Sequence, residues 1–144
     1  MRLHYLDEGD ANSGEVFLCL HGEPSWSFLY RKMIPILARS GRVLAPDFVG
    51  FGRSDKYTDL AAYTFDMHYD TIVHFIESLD LENITLICQD WGGLIGLTVA
   101  ANYGERFGRL VIMNTYLPTG EEENPDAFLQ WRAFTERLGL RLPV

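Results

Sequence analysis

One short segment, residues 88–93, constrains the fold of this chain more than any other. It reads Cys-Gln-Asp-Trp-Gly-Gly, follows the apolar run at residues 84–87 and precedes the apolar, helix-like stretch at residues 94–102. A strand, a sharp turn and a helix fit that order. The turn has a small residue on either side of Asp90, each separated from it by one position, which is the spacing of a nucleophile turn.

Asp90 lies at the centre of this turn, and its carboxylate limits the reactions that such a nucleophile can complete. A serine that attacked an sp³ carbon would leave an ether, which water does not readily cleave. A carboxylate leaves an ester, which water does cleave. Asp90 therefore indicates displacement at a saturated carbon, followed by hydrolysis of the ester.

Short apolar runs alternate with helical patterns over most of the chain. The runs predict strands that are buried on both faces, and they are residues 3–6, 16–20, 43–45, 84–88 and 110–113. Residues 26–38 have a helical period, which Pro35 should kink or break near Ile34. The alternation of strands and helices predicts a doubly wound α/β fold with a mostly parallel sheet.

The character of the sequence changes after Leu117. A polar, acidic connection follows, in which Asn124 can cap a helix and Pro125 can occupy its first position. Apolar residues then recur on one helical face. We therefore divide the chain into residues 1–117 and residues 118–144, the second being the start of a different structural unit.

Charge and cysteine content exclude several classes of partner. The formal net charge is −8, which disfavours nucleic acids and anionic membranes, because both require a basic face. Cys19 and Cys88 lie in apolar runs without metal-ligand spacing, so we expect two buried thiols, no bound metal and a reducing compartment. Since no segment is long enough to span a membrane, we expect a cytoplasmic protein.

A second turn, His-Gly-Glu-Pro at residues 21–24, follows the second predicted strand. In a fold with this nucleophile turn, that loop supplies one backbone N–H of the oxyanion hole, and the residue after the nucleophile supplies the other. By position these are the amides of Glu23 and Trp91. The Trp91 indole N–H can also hold an anion that Asp90 displaces. The simpler alternatives are a Gly-Pro turn without a role and a tryptophan that only packs.

Other polar residues favour structural roles. The histidines are His4, His21, His68 and His74. All of them precede Asp90, whereas the base of such a site follows the nucleophile in sequence, so none is a good candidate for the base. We expect His21 to order its loop. The Gly-rich turn at residues 47–55 lacks the third glycine of a dinucleotide fingerprint, and we interpret it as shaping the pocket side of the sheet.

Together these segments resemble the haloalkane dehalogenases of the α/β-hydrolase superfamily. The matching segments are residues 21–26, 47–56, 63–65 and 89–93. The resemblance implies that Asp90 is the nucleophile, that Trp91 is one of two halide-binding donors, and that Glu23 lends its amide to the oxyanion hole while its side chain helps to position water. It implies a small halogenated alkane as substrate, water and halide as the other partners, and no cofactor.

The resemblance also implies a catalytic acid and a histidine after later strands than those found here. We therefore expect residues 1–117 to be the N-terminal part of an α/β-hydrolase core, truncated after the start of a helical cap at residues 118–144. Two alternatives stay open at this point. One is an epoxide hydrolase with the same aspartate nucleophile, and the other is a non-catalytic, truncated hydrolase-fold module.

A first prediction concerns turnover by the 144-residue chain. Because none of its histidines is placed to activate water, the chain should not release halide catalytically from a bromoalkane. Halide assays with purified chain test this. Sustained release of many equivalents, abolished by His21→Ala or His68→Ala, would reveal a base that the motif order excludes.

Overall fold

The computed structural model describes residues 1–118, 120–121 and 124–138. Five strands in these residues form one sheet in the order β1-β3-β2-β4-β5. They are β1 (Tyr5–Glu8), β2 (Val16–Leu20), β3 (Arg42–Pro46), β4 (Ile84–Gln89) and β5 (Phe107–Met113). β1 runs antiparallel to β3, and the other neighbours are parallel. The predicted α/β fold with a mostly parallel sheet is confirmed.

Helices cover both faces of the sheet. In the described part of the chain, the α-helices are α1 (Ile34–Leu37), α2 (Phe65–Ser78), α3 (Trp91–Asn102) and α4 (Asp126–Leu138). Thr64 caps α2, since its hydroxyl oxygen accepts the N–H of Met67 at 3.0 Å. α2 buries Ile72, Phe75 and Ile76 against the core and packs beside α3. The apolar runs of β2 and β4 are thereby shielded from water on both sides.

Two strands begin at other residues than the apolar runs predict. β1 starts two residues later, because its pairing with β3 sets Tyr5 opposite Pro46 and Glu8 opposite Val43. β5 starts at Phe107, three residues earlier than the run at 110–113. A shift in register at the start of β4 brings Phe107 opposite Ile84, so the polar beginning of β5 is strand as well.

Residues 26–38 do not form one kinked helix. A 3₁₀-helix (Ser27–Tyr30) is followed by a turn and by α1, with Pro35 in the first turn of α1, where its missing N–H costs nothing. The break has a structural use. Tyr30 is fully buried, and its hydroxyl donates to the carbonyl of Leu20 at 2.7 Å, which ties this segment to the end of β2.

Both cysteines are buried and free, as predicted. Cys19 lies on β2 and Cys88 on β4. Burial raises the pKa of Cys19 to about 12 and that of Cys88 to about 11. Both side chains are therefore neutral thiols at neutral pH.

The C-terminal elements of the described chain are exposed. α4 begins at Asp126, one residue later than predicted, and the carbonyl of Pro125 accepts the N–H of Leu129 at 3.1 Å. Trp131 and Phe134 on α4 face solvent. None of the helices in the described residues combines the length and the apolarity needed to cross a membrane.

Strand β5 is an edge of the described sheet, and its apolar side chains are open to solvent. Leu110 is 49% exposed and Ile112 is 50% exposed. An apolar edge strand presents unpaired backbone N–H and C=O groups and exposed apolar side chains, to which another chain can bind. We predict that the 144-residue chain self-associates through β5.

A charge on this strand should reduce the self-association. Ile112→Lys should shift the chain toward monomer, because an edge lysine opposes strand-to-strand pairing. Sedimentation velocity over a range of concentrations measures the shift. Leu60→Lys, an exposed leucine on another element, is the matched control. The prediction is wrong if both variants associate as strongly as the parent chain, or if the parent is monomeric.

Candidate active site

Asp90 sits at the sharp turn between β4 and α3, in a backbone conformation that side chains rarely adopt. Its φ is 53° and its ψ is −127°. Such a conformation costs about 1–3 kcal/mol and persists only where the surroundings hold it. Here the carbonyl of Asp90 accepts the N–H of Gly93 at 2.9 Å and the hydroxyl of Thr115 at 2.8 Å. The turn therefore holds the carboxylate above the end of the sheet.

Two glycines let the neighbouring backbone approach this turn. A Cβ on Gly22 would lie 2.3 Å from both the Cβ and the Oδ1 of Asp90. A Cβ on Gly92 would lie 2.1 Å from the carbonyl oxygen of Leu20. A side chain at position 22 would displace the side chain of Asp90, and one at position 92 would collide with the backbone of Leu20 and His21. The loop after β2 and the start of α3 can therefore meet closely only because both residues are glycine.

This close approach brings the predicted site residues together. The backbone N–H of Glu23 donates to Oδ1 of Asp90 at 2.9 Å. Within the described residues, the other predicted oxyanion-hole amide, that of Trp91, makes no hydrogen bond to the carboxylate. One oxygen of Asp90 is thus held by backbone, and Oδ2 is left for chemistry.

A cavity of about 250 Å³ opens beside the carboxylate. Its walls are mainly aromatic and apolar and include Glu23 and Trp91 on the side of Asp90; the other lining residues are Gly22, Phe48, Phe51, Tyr63, Thr64, Phe65, His68 and Ile95. Trp91 is 45% exposed, so its ring is open to a ligand. Asp90 is not among the lining residues, but Gly22 and Glu23, which do line the cavity, are its immediate neighbours. The chemistry of the walls suits a small apolar molecule.

His21 is locked into one neutral tautomer. The N–H of Phe48 donates to its Nε2 at 2.9 Å, so the ring proton must be on Nδ1, which lies 2.9 Å from the carbonyl of Gly22. Burial lowers the pKa of His21 below its ordinary value of 6.5, against the opposing effect of the bond to Gly22. Both ring nitrogens are occupied, which matches the expectation that His21 orders its loop.

Asp47 organises the Gly-rich turn that we predicted to be structural. Its buried carboxylate accepts the N–H groups of Ser27 at 2.8 Å and Arg53 at 2.9 Å, and Nδ1 of His4 at 2.9 Å. Burial acts to raise the pKa of Asp47. The hydrogen bonds from the backbone N–H groups of Arg53 and Ser27 outweigh this effect and hold the pKa below 3.8. The turn thereby places Phe48 and Phe51 in the cavity wall.

His68 is the site residue that the sequence reasoning missed. It lines the cavity, and its buried Nδ1 has no hydrogen-bond partner within residues 1–118, 120–121 and 124–138. Burial, with a smaller effect from His21, lowers its pKa below 6.5. The helical pattern around it does not indicate a place in a cavity wall. Its place in the wall depends on how α2 meets the turn at Phe48, which no local pattern reveals.

Comparison with known proteins places these features in a family. A profile of the alpha/beta hydrolase fold matches residues 15–142. A haloalkane dehalogenase of Psychrobacter cryohalolentis is 51% identical over 139 residues, which make up 96% of this chain and 46% of that protein. The chain thus spans just under half the length of this curated relative.

Solved structures give the same picture. The tetrameric structure of haloalkane dehalogenase DpaA from Paraglaciecola agarilytica superposes with a TM-score of 0.89 at 50% identity, covering 95% of this chain and 46% of that one. The epoxide hydrolase VrEH1 from Vigna radiata has a TM-score of 0.77 at 26% identity, covering 92% and 43%. Similarity is therefore greater to the dehalogenase than to the epoxide hydrolase.

The fixed neutral tautomer of His21 predicts how the free energy of unfolding depends on pH. In the unfolded chain His21 regains its ordinary pKa of 6.5, so below that pH the unfolded state binds protons that the folded state does not bind. The free energy of unfolding should therefore fall as the pH drops from about 7.5 to about 5, and His68 adds to the fall in the same direction. Urea unfolding at a series of pH values measures this.

His21→Gln should weaken the pH dependence because it removes one titrating ring. It should also lower stability at neutral pH by about 1–3 kcal/mol, since Gly22 and Phe48 lose a well-aligned partner. Stability that stays constant over this pH range, or rises as the pH falls, would show that His21 is not held neutral.

Proposed function

The chain belongs to the alpha/beta hydrolase fold family, and on that premise we propose that it is the catalytic nucleophile-bearing part of a haloalkane dehalogenase. The observation that carries the proposal is the 2.9 Å hydrogen bond from the Glu23 amide to Oδ1 of Asp90, beside an apolar cavity. Identity of 51% to a haloalkane dehalogenase supports it.

In the proposed first step, Oδ2 of Asp90 attacks the carbon that bears the halogen. The carbon–oxygen bond of an alkyl ester forms, the carbon–halogen bond breaks, and the halide leaves with the bonding electrons. The indole N–H of Trp91 stabilises the halide as negative charge develops on it. The exposure of Trp91 and its place in the cavity wall support this role.

In the second step, water attacks the carbonyl carbon of the ester, and a base takes a proton from the water. The bond between that carbon and Oδ2 then breaks, and the alkyl group leaves with Oδ2 as an alcohol, which takes up the proton. Since the alkyl group is on Oδ2, Oδ1 is the oxygen that becomes negative in the tetrahedral intermediate. Oδ1 is already within hydrogen-bond distance of the Glu23 amide, so the donor needs no rearrangement when the charge appears. The attacking water needs a general base. His21 is excluded as this base because both of its ring nitrogens already make hydrogen bonds.

We also propose the domain division and the location predicted from the sequence. Residues 1–117 form the N-terminal part of the core, and residues 118–144 begin a helical cap. The exposed apolar side chains Trp131 and Phe134 of α4 are consistent with a cap helix. Two buried, free thiols favour a reducing, cytoplasmic location. The proposed partners are a small halogenated alkane, water and halide.

The proposal predicts a covalent mark on Asp90. After incubation with 1-bromobutane in H₂¹⁸O, mass spectrometry of the peptide that contains Asp90 should find either a butyl group or, where the ester has been hydrolysed, ¹⁸O in the carboxylate. Asp90→Asn should abolish both marks. Trp91→Phe should slow halide release about 10-fold or more, because one donor to the leaving group is lost.

Asp70→Asn is the matched control, since Asp70 is an exposed carboxylate on α2 and its loss should leave the marking of Asp90 intact. A chain that unfolds cooperatively but carries neither mark rules out the dehalogenase proposal. If an epoxide then leaves a hydroxyalkyl ester on Asp90, the epoxide hydrolase alternative is the better one.

A further inference from the structure

His68 is an uncommitted polar group in a wall whose other side-chain hydroxyls are already engaged. The hydroxyl of Tyr63 accepts a hydrogen bond from the N–H of Tyr57 at 2.8 Å and donates one to the carbonyl of Tyr57 at 3.2 Å. The hydroxyl oxygen of Thr64 accepts the N–H of Met67. The His68 ring packs edge-on to Phe48 at 5.5 Å and lies 6.4 Å from Tyr63. In the described part of the chain, Nδ1 of this imidazole thus has no hydrogen-bond partner among the aromatic rings around it.

The burial of Nδ1 points to one tautomer of this imidazole. Nδ1 is buried and has no partner among the residues that the structure describes, so a proton there would be a buried, orphaned donor, which folded proteins strongly avoid. We therefore assign the proton to Nε2 of this wall residue. The neutral ring therefore offers the cavity a donor, and the matching ligand atom is an acceptor.

One cavity contains both His68 and the residues next to Asp90 in its wall. Glu23 and Trp91 mark the side of the wall next to Asp90, so a carbon under attack by Asp90 sits at that side. The rest of the molecule then extends into the 250 Å³ cavity. That volume is several times the roughly 30 Å³ share of one water molecule in the liquid, so a short chain fits.

We propose that His68 is a specificity-determining residue, whose Nε2–H donates to an ether oxygen of a haloalkane bound at Asp90. The substrate class is therefore haloethers in preference to haloalkanes of the same length. This inference rests on the proposed function. A neutral donor suits an ether because the oxygen accepts a hydrogen bond and brings no charge into an apolar cavity.

The test compares two substrates of equal length, 2-bromoethyl ethyl ether and 1-bromopentane, with the protein expressed from its complete reading frame. His68→Phe should lower the ratio of kcat/KM for the ether over the alkane by about 3- to 10-fold, the effect of one net hydrogen bond. The loss should appear mainly in KM, because a hydrogen bond to the ether oxygen is made equally in the bound substrate and in the transition state. His68→Gln keeps an N–H donor and should restore most of the ratio.

His74→Phe is the matched control, because His74 lies on the same helix and outside this cavity. It should leave the ratio as it is. A ratio that is the same in the parent, His68→Phe and His68→Gln overturns the proposal. A purely structural role of His68 would lower activity toward both substrates alike and would not move the ratio.

A binding measurement separates this inference from the proposed function. In the Asp90→Asn protein, diethyl ether should shift the ¹⁵N resonances of His68, and pentane should not. If no bromide reacts at Asp90 but the ether shifts His68, the dehalogenase proposal fails and the ether site stands. If the ether produces no shift that pentane does not also produce, the ether site is wrong, whatever the reaction at Asp90.

Discussion

The close contact between the turn at Asp90 and the loop after β2 is the constraint on which the site depends. Two parallel strands that are neighbours in the sheet end at the same edge, so their following loops must share a small space. Gly22 and Gly92 leave that space open by lacking side chains. The Glu23 amide can then hold one oxygen of Asp90, and the other oxygen is free to react.

Two buried polar side chains, those of His21 and Asp47, connect the neighbouring loops to this contact through hydrogen bonds. His21 accepts from Phe48 and lies against the carbonyl of Gly22, and Asp47 collects amides from two separate segments. Each group replaces water by protein partners, and these hydrogen bonds offset the desolvation of the buried group while they fix the loops relative to one another. The hydrogen bonds of His21 thereby hold Gly22 and Phe48, two residues of the cavity wall, in place.

The sequence predicted those parts of the fold that local patterns determine. The runs at residues 16–20 and 84–88 are strands because they are apolar enough to be buried on both faces, and Asp90 was recognisable from the turn around it. The extent of β5 and the position of β1 were not predictable, because pairing with neighbouring strands decides them. The roles of Asp47 and His68 depend on contacts between segments far apart in the chain, and a single sequence does not reveal such contacts.

The burial of the two thiols affects whether the protein can be alkylated by its own proposed substrates. Alkyl halides are electrophiles, and a cysteine thiolate is usually the side chain that they modify first. Cys19 and Cys88 lie within the central strands with their pKa values raised to about 12 and about 11, so neither is exposed as a thiolate. A protein that handles such reagents, as we propose, thus confines their reactivity to a carboxylate that water can regenerate.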